Sequence, residues 1–276
     1  MPFEREHVRH PLTVRRLRVS VVERVVPNIV RVTLTGPEFA GFASDGPSDH
    51  VKVFFPDPAT GVLTLPEVDA QGLRRGDPGI VISRDYTPRA IRPAAGDRDG
   101  ELDLDIVLHG LDGPASAWGQ LAKPGDELGV GGPRGSRLVP AGIEKLIVVA
   151  DETALPTTAR WLELIPTTVH VTGLFAVHDE CVEAYFDAAD TAELDAEWLT
   201  HADGRGALEE SLRSLGPIDA STYVFLAGEA ELLIPLRRYL RHELGLPAEQ
   251  VSASGYWRRG ITNLDHHAPL DPSDPD

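Results

Sequence analysis

Glu101-Leu102-Asp103-Leu104-Asp105-Ile106-Val107-Leu108-His109 alternates acidic and apolar residues, the period of a strand whose two faces meet different surroundings. It predicts an antiparallel sheet with one wet face and one core face. Lys145-Leu146-Ile147-Val148-Val149-Ala150 follows another rule. There the apolar run is unbroken, and a helix-like stretch from Thr153 to Leu164 comes next. The chain therefore divides near Pro140 to Glu144.

Upstream of that division, Leu12 to Glu23, Ile29 to Thr35, His50 to Phe55 and Gly79 to Tyr86 also read as strands bounded by Pro, Gly or Asn. A short helix is expected at Ala115 to Leu121, and the turn Lys123-Pro124-Gly125-Asp126-Glu127-Leu128 leads into a last strand. About six strands with one short helix predict a small closed barrel. Downstream, strands Thr168 to Phe175, Thr222 to Ala227 and Gln250 to Ser254 alternate with helices Asp179 to Tyr185, Ala207 to Leu215 and Glu231 to Leu244. Such alternation predicts a parallel sheet. The expected organisation is a β-barrel domain over 10–140, an α/β domain over 141–264 and a Pro- and Asp-rich disordered tail over 265–276.

Composition narrows the function. The 276 residues are 42% hydrophobic, enough for two cores. With 26 Lys and Arg against 43 Asp and Glu, the net charge of -17 repels nucleic acid and anionic lipid, so neither is an expected partner. No run approaches the length of a membrane span, and the start lacks the apolar stretch of a signal peptide. Cys181 is the only cysteine. It fits a reducing, cytoplasmic setting and excludes an iron-sulfur centre built from this chain alone. No metal site is expected, and electrons must travel through an organic cofactor or none. Lysine occurs only at 52, 123 and 145, which draws attention to Lys52 inside an apolar strand.

Three clusters carry chemistry. Ser83-Arg84-Asp85-Tyr86-Thr87-Pro88-Arg89 ends a strand and offers an aromatic ring, hydroxyls and a cation. Those are the group types that a flavin's ring and pyrophosphate need; equally, this is a strand ending in a Pro turn with surface arginines. His109-Gly110-Leu111-Asp112-Gly113-Pro114-Ala115-Ser116-Ala117-Trp118 runs from a turn into a helix whose first N–H groups suit an anion, with the Ser116 hydroxyl as an added donor. His109 also reads as a structural histidine, and Trp118 as barrel packing. Gly131-Gly132-Pro133-Arg134-Gly135-Ser136 is a Gly-rich turn in which Arg134 offers a fork for carboxylate or phosphate.

Taken in order, with Asp49-His50-Val51-Lys52-Val53-Phe54-Phe55-Pro56, Asp151-Glu152-Thr153-Ala154-Leu155-Pro156, Ala227-Gly228-Glu229 and Gly255-Tyr256-Trp257-Arg258-Arg259-Gly260, these clusters resemble the siderophore-interacting protein family. These are FAD-dependent ferric-siderophore reductases of the ferredoxin reductase-like superfamily. The resemblance covers nearly the whole chain. It implies an N-terminal antiparallel Greek-key FAD-binding barrel and a C-terminal parallel-sheet, nucleotide-binding-like domain. It further implies noncovalent FAD held by Arg84, Tyr86, Thr87, Val107, His109, Ala115 and Ser116, with no residue marked as catalytic. A basic pocket over the flavin edge is implied too, for which Lys52, Arg134, Arg258 and Arg259 are the candidates by position.

The turn after the first α/β strand departs from ordinary ferredoxin reductases. In place of a Gly-rich loop it has Asp151-Glu152-Thr153, whose carboxylates satisfy a helix start and repel phosphate. Asp151 and Thr153 suit adenosine hydroxyls or simply cap the helix. Glu229 faces a ligand cleft or caps its own helix. Tyr256 and Trp257 border the flavin or staple the chain end.

The expected function is electron transfer from NAD(P)H or reduced ferredoxin through FAD to the Fe(III) of a ferric siderophore, releasing Fe(II). Two alternatives stand beside it: a flavin-carrying siderophore-binding module without turnover, and a general NAD(P)H-dependent flavoprotein reductase.

Overall fold

The computed structural model describes residues 3–69, 72–74, 81–111, 113–187, 194–200, 203–204, 206–264 and 268–274. The chain forms two compact units, one of His7–Leu138 and one of Val139–Asp276 with Met1–Glu6.

The first unit holds β1 (His7–Arg9), β2 (Val14–Val26), β3 (Ile29–Thr35), β4 (Val51–Phe55), β5 (Glu67–Asp69), β6 (Gly72–Arg74), β7 (Ile82–Tyr86), β8 (Ala90–Arg92), β9 (Glu101–Val107), α1 (Pro114–Leu121), β10 (Glu127–Gly131) and β11 (Gly135–Arg137). Seven strands make one antiparallel sheet in the order β7-β4-β10-β2-β3-β9-β8. The sheet curls as a half-barrel, and among the described residues no ladder joins β7 to β8. The sequence predicts closure with about six strands; Pro88, which has no N–H to donate, sits in the short link between the two end strands. Register shifts at Val19/Val21 and Arg24/Val26 add local twist to β2. The expected strand start at Gly79 and Ile80 lies outside the described residues, as does Asp112.

The core under this sheet is built from Leu17, Val32, Leu34, Val53, Leu102, Leu104 and Val130, all buried. The alternation in β9 does not produce a wet face. Asp103 and Asp105 are 6% and 3% exposed, because register sets Arg31 opposite Asp105 and Thr33 opposite Asp103. Arg31 grips Asp105 through two bonds of 2.7 and 2.8 Å, and Arg92 grips Asp103 at 2.7 and 2.6 Å. Burial pushes the Asp103 carboxyl up, but Arg92 and Thr33 outweigh it and hold the group below its usual range.

The second unit holds β12 (Lys145–Asp151), α2 (Leu155–Leu164), β13 (His170–Val177), β14 (Leu194–Thr200), α3 (Ala207–Ser214), β15 (Thr222–Glu229), α4 (Ala230–Arg238) and β16 (Val251–Trp257). All five strands are parallel, in the order β14-β13-β12-β15-β16. The order reverses between β12 and β15, and open α/β sheets bind ligands outside the carboxyl ends of the strands at such a point. β12 and β15 are buried along almost their whole length, as continuous apolar runs require.

Four expectations change here. β14 is a strand that the pattern missed, since Asp195, Ala196 and Glu197 are exposed on the sheet's edge. The expected helix at 179–185 is a 3-10 stretch, Glu180–Tyr185. The long helix expected to Leu244 ends at Arg238 and continues as a wider turn over Tyr239–Glu243, with Pro235 inside it. The tail also differs from its expected disorder over 268–274. Leu270 is buried, and Asp271 and Asp274 pair with Arg238 and Arg237.

Candidate functional site

In β7, register sets Tyr86 opposite Val51, Arg84 opposite Val53 and Ile82 opposite Phe55. Those partners are core residues, so Arg84 and Tyr86 share the core-side face of an end strand. Arg84 is half-buried and its Nη1 donates to the Ser83 carbonyl at 2.7 Å. Tyr86 tilts against Phe55 with centroids 6.2 Å apart, and Phe55 meets Trp118 of α1 edge-on at 5.6 Å. One buried phenylalanine thus joins the end of β7 to α1, and the first two sequence clusters meet there. Burial pushes the Tyr86 phenol above its usual range, against the pull of the Arg84 charge. Thr87 follows as a buried residue.

Among the described residues, α1 begins without a side-chain cap. Gly113 is extended, Pro114 opens the helix, and the first turn has no acidic residue, so its N–H groups remain for an outside acceptor. The His109 ring lies against Gly113, where an added Cβ would stand 2.8 Å from Cε1. A larger residue there would push the ring aside. Ser116 is fully buried, and its Oγ accepts from His109 N at 2.9 Å and donates to the Gly110 carbonyl at 2.7 Å. The hydroxyl offered by the sequence as an anion donor is therefore bound to the main chain, splicing the end of β9 to α1. Ala115 packs into the core, which leaves its backbone for a ligand, and Val107 ends β9 half-buried opposite Ile29.

Lys52 stands opposite Asp85 and its Nζ donates to Oδ1 at 2.6 Å, with both side chains about a quarter exposed. This pair lies on the other face of β4 and β7 from Arg84 and Tyr86, because successive residues alternate across a sheet. The signal for Asp85 was present in its cluster, but only the register reveals its partner. Arg134 is exposed at the Gly-rich turn.

The strand ends of the second unit have the opposite character. Asp151, at the tip of β12, is 6% exposed. Its Oδ1 accepts from Thr153 N at 2.8 Å and Thr153 Oγ1 at 2.5 Å, while Oδ2 accepts from Glu229 N and Trp257 Nε1, each at 2.8 Å. Both oxygens are filled. Burial, with Glu152 adding like-charge repulsion, pushes this carboxyl up to about 6 against the bonds from Thr153 and Trp257. Gly228 passes beside it with φ +142°, and a Cβ there would stand 2.7 Å from Asp151 Cγ.

The pattern repeats at neighbouring tips. Glu152 accepts from His178 N at the end of β13. Glu229 caps α4 through Leu232 N at 2.9 Å and accepts from Arg259 N at 3.1 Å beyond β16. Asp151 and Thr153 are thus spent on a cap and on Trp257, and adenosine hydroxyls find no free oxygen on Asp151. Glu152 and Gly228 complete this network. Tyr256 is pinned to Thr157 on α2 by a 2.9 Å hydroxyl pair, while Arg259 is exposed and Arg258 donates to the Leu270 carbonyl at 2.8 Å.

Comparison with known proteins places these features. Two family models match, the siderophore-interacting FAD-binding domain over residues 18–137 and the siderophore-interacting protein over residues 143–260. The ferric vibriobactin reductase of Vibrio cholerae is 32% identical over 253 residues, spanning 88% of this chain and 89% of that one. The NADPH-dependent ferric-chelate reductase of Escherichia coli is 32% identical over 255 residues, spanning 91% and 96%. A siderophore utilization protein from T. fusca has a crystal structure that superposes with a TM-score of 0.85 at 39% identity, covering 96% of this chain and all of that one. A curled antiparallel sheet followed by a parallel-sheet α/β unit is the ferredoxin reductase-like succession. The chain belongs to the siderophore-interacting protein family.

Proposed function

We propose that the protein is an FAD-dependent ferric-siderophore reductase working in the cytoplasm, with NADPH as donor and reduced ferredoxin as the second donor to test. The observation that carries this reading is the uncapped start of α1 joined through Phe55 to the row of Arg84 and Tyr86. A pyrophosphate fits free helix N–H groups and a guanidinium, and an isoalloxazine fits an aromatic wall. FAD, when bound noncovalently there, supplies two-electron acceptance and one-electron delivery.

The chain's part is to hold and orient. Arg84 and the backbone at Ala115 and Ser116 take the phosphates, Tyr86 and Thr87 the ring, and Val107 and His109 border the cofactor. Trp257, held by Asp151, is an aromatic wall of the second unit. Each unit brings its own chelate-binding cations, Arg134 in the first and Arg258 with Arg259 in the second, while Lys52 is engaged by Asp85. Reduction to Fe(II) loosens a hard-oxygen chelate, so the protein needs no metal ligands of its own.

Purified protein should be yellow, and acid precipitation should release all of the colour. Anaerobic bleaching by NADPH, NADH or reduced ferredoxin, followed by reoxidation with a ferric chelate, tests donor and acceptor together. Protein that binds FAD yet is never reoxidised by any ferric chelate would be a carrier instead.

A further inference from the structure

Residues 268–274, beyond the last family-matched residue, 260, pack on the second unit. Leu270 is 7% exposed within the core that includes Ala230, Leu233 and Leu236, and its Cδ1 sits against Gly255, 3.2 Å from where a side chain would begin. Asp271 pairs with Arg238, and Asp274 takes Arg237 Nη1 at 2.8 Å and His242 Nε2 at 2.7 Å. The strap is thus anchored by one apolar side chain and two carboxylates, on α4 and the turn after it.

Between those anchors and β16 lies one further contact. The Leu270 carbonyl accepts from Arg258 Nη2 at 2.8 Å. Arg258 follows β16 in a tight turn closed by Ile261 N donating to the Arg258 carbonyl at 3.0 Å. Among the described residues its Nε is buried without a partner, and the strap carbonyl is the contact that orients the guanidinium. A guanidinium has five donors in a rigid fork, and fixing one edge aims the other.

We propose that residues 268–274 are a positioning strap for Arg258, holding its guanidinium in the orientation that receives an anionic ferric chelate. This rests on the reading of Arg258 as a chelate-binding cation. The contribution is entropic. An unheld arginine must be ordered when the chelate arrives, and ordering one such side chain weakens binding by about two- to tenfold. The strap's acids are engaged by Arg237, Arg238 and His242, so they act on KM through Arg258 and leave kcat alone.

The test uses the full chain with Asp271→Asn and Asp274→Asn combined, which loosens the strap and leaves Arg258 in place. For an anionic ferric chelate, KM should rise by about two- to tenfold, with kcat and the KM for NADPH unchanged. In an Arg258→Ala background the same pair should change nothing, because the group it positions is gone. An equal rise in that background, or no rise in the parent, overturns the strap's role. Hydrogen exchange of the 255–261 backbone, measured without turnover, should quicken in the strap variant, and unchanged protection overturns the positioning itself. Should Arg258→Ala alone leave the chelate KM untouched while exchange still quickens, the strap holds Arg258 and the reading of Arg258 as a chelate contact fails.

Discussion

Helix starts in the two units of this chain receive opposite treatment. α1 opens at Gly113 with no side-chain cap and no acid in its first turn. α4 opens at Glu229, which caps it, and the turn before α2 opens at Asp151, whose four bonds fill both oxygens. A helix start is positive and attracts anions. The first unit leaves that attraction available to a phosphate, while the second cancels it with its own carboxylates at the point of the sheet where dinucleotides usually bind. The lesson is that topology offers a site and local side chains decide whether it is open. A nicotinamide donor here must place its pyrophosphate away from the β12 turn.

Two glycines provide the strongest way to break that contrast. Gly228 and Gly113 both meet a neighbour too close for a Cβ, at 2.7 and 2.8 Å. Gly228 faces a buried carboxylate fixed by four bonds, at φ +142°. Gly113 faces an exposed histidine ring. Gly228→Ala should cost about 4 kcal/mol from overpacking and a disfavoured φ together. Gly113→Ala should cost under about 1 kcal/mol, since the ring swings aside, yet lose FAD affinity. Urea midpoints that fall equally in both would show that the carboxylate network is no more rigid than a surface ring.

The second test uses pH. The folded chain holds the Asp151 proton up to about 6, above the ordinary 3.8 of an aspartate, so between those values the native state binds the proton more readily than the unfolded chain. Stability is then present in full below about pH 4 and declines as pH rises through about 6, by on the order of 3 kcal/mol. Asp151→Asn turns its amide nitrogen toward the Thr153 hydroxyl, which can accept, gives up the bond from Thr153 N, and keeps an oxygen for Glu229 N and Trp257 Nε1. It should flatten this decline without releasing the indole. Denaturant unfolding at pH 4, 5, 6 and 7 checks the slope, and an unchanged slope in the variant would assign it to another group.

On the open side, Arg84→Ala should weaken FAD binding by about 1.5 to 3 kcal/mol, the range for hydrogen bonds to charged groups, and by more than Arg89→Ala does. Equal FAD retention in the two purified variants would move the phosphate contact away from Arg84.

The alternation of β9, the apolar run of β12 and the ordered motifs made the fold class and the family legible from sequence, because each depends on residues close together in the chain. What stayed hidden depends on pairing across distance. Asp103 and Asp105 look solvated until register brings Thr33 and Arg31 opposite them, with Arg92 on the other side. Asp151 reads as a simple cap until Trp257, from the far end of the sheet, arrives at its second oxygen. The tail's Pro and Asp content suggests disorder, yet Leu270 and two acids find arginines and a core on α4.

Lys52 is the finest case of that kind, and the smallest expected effect. In sequence it is a lone ammonium in an apolar strand, the natural choice for a chelate-binding charge. In the fold it is half of a cross-strand pair with Asp85, 2.6 Å apart. Partly exposed pairs contribute about 0 to 1 kcal/mol, and the pair presents little net charge to an approaching anion. Removing the ammonium alone leaves the Asp85 charge behind, so Lys52→Met should raise KM for an anionic ferric chelate by about two- to fivefold, less at high salt. Lys52→Met with Asp85→Asn removes both charges and should return KM close to the parent value. A neutral ferric chelate should not distinguish the three proteins. If the double variant stays as impaired as the single one, Lys52 contacts the chelate in its own right, and the ion pair is only where it rests between turnovers.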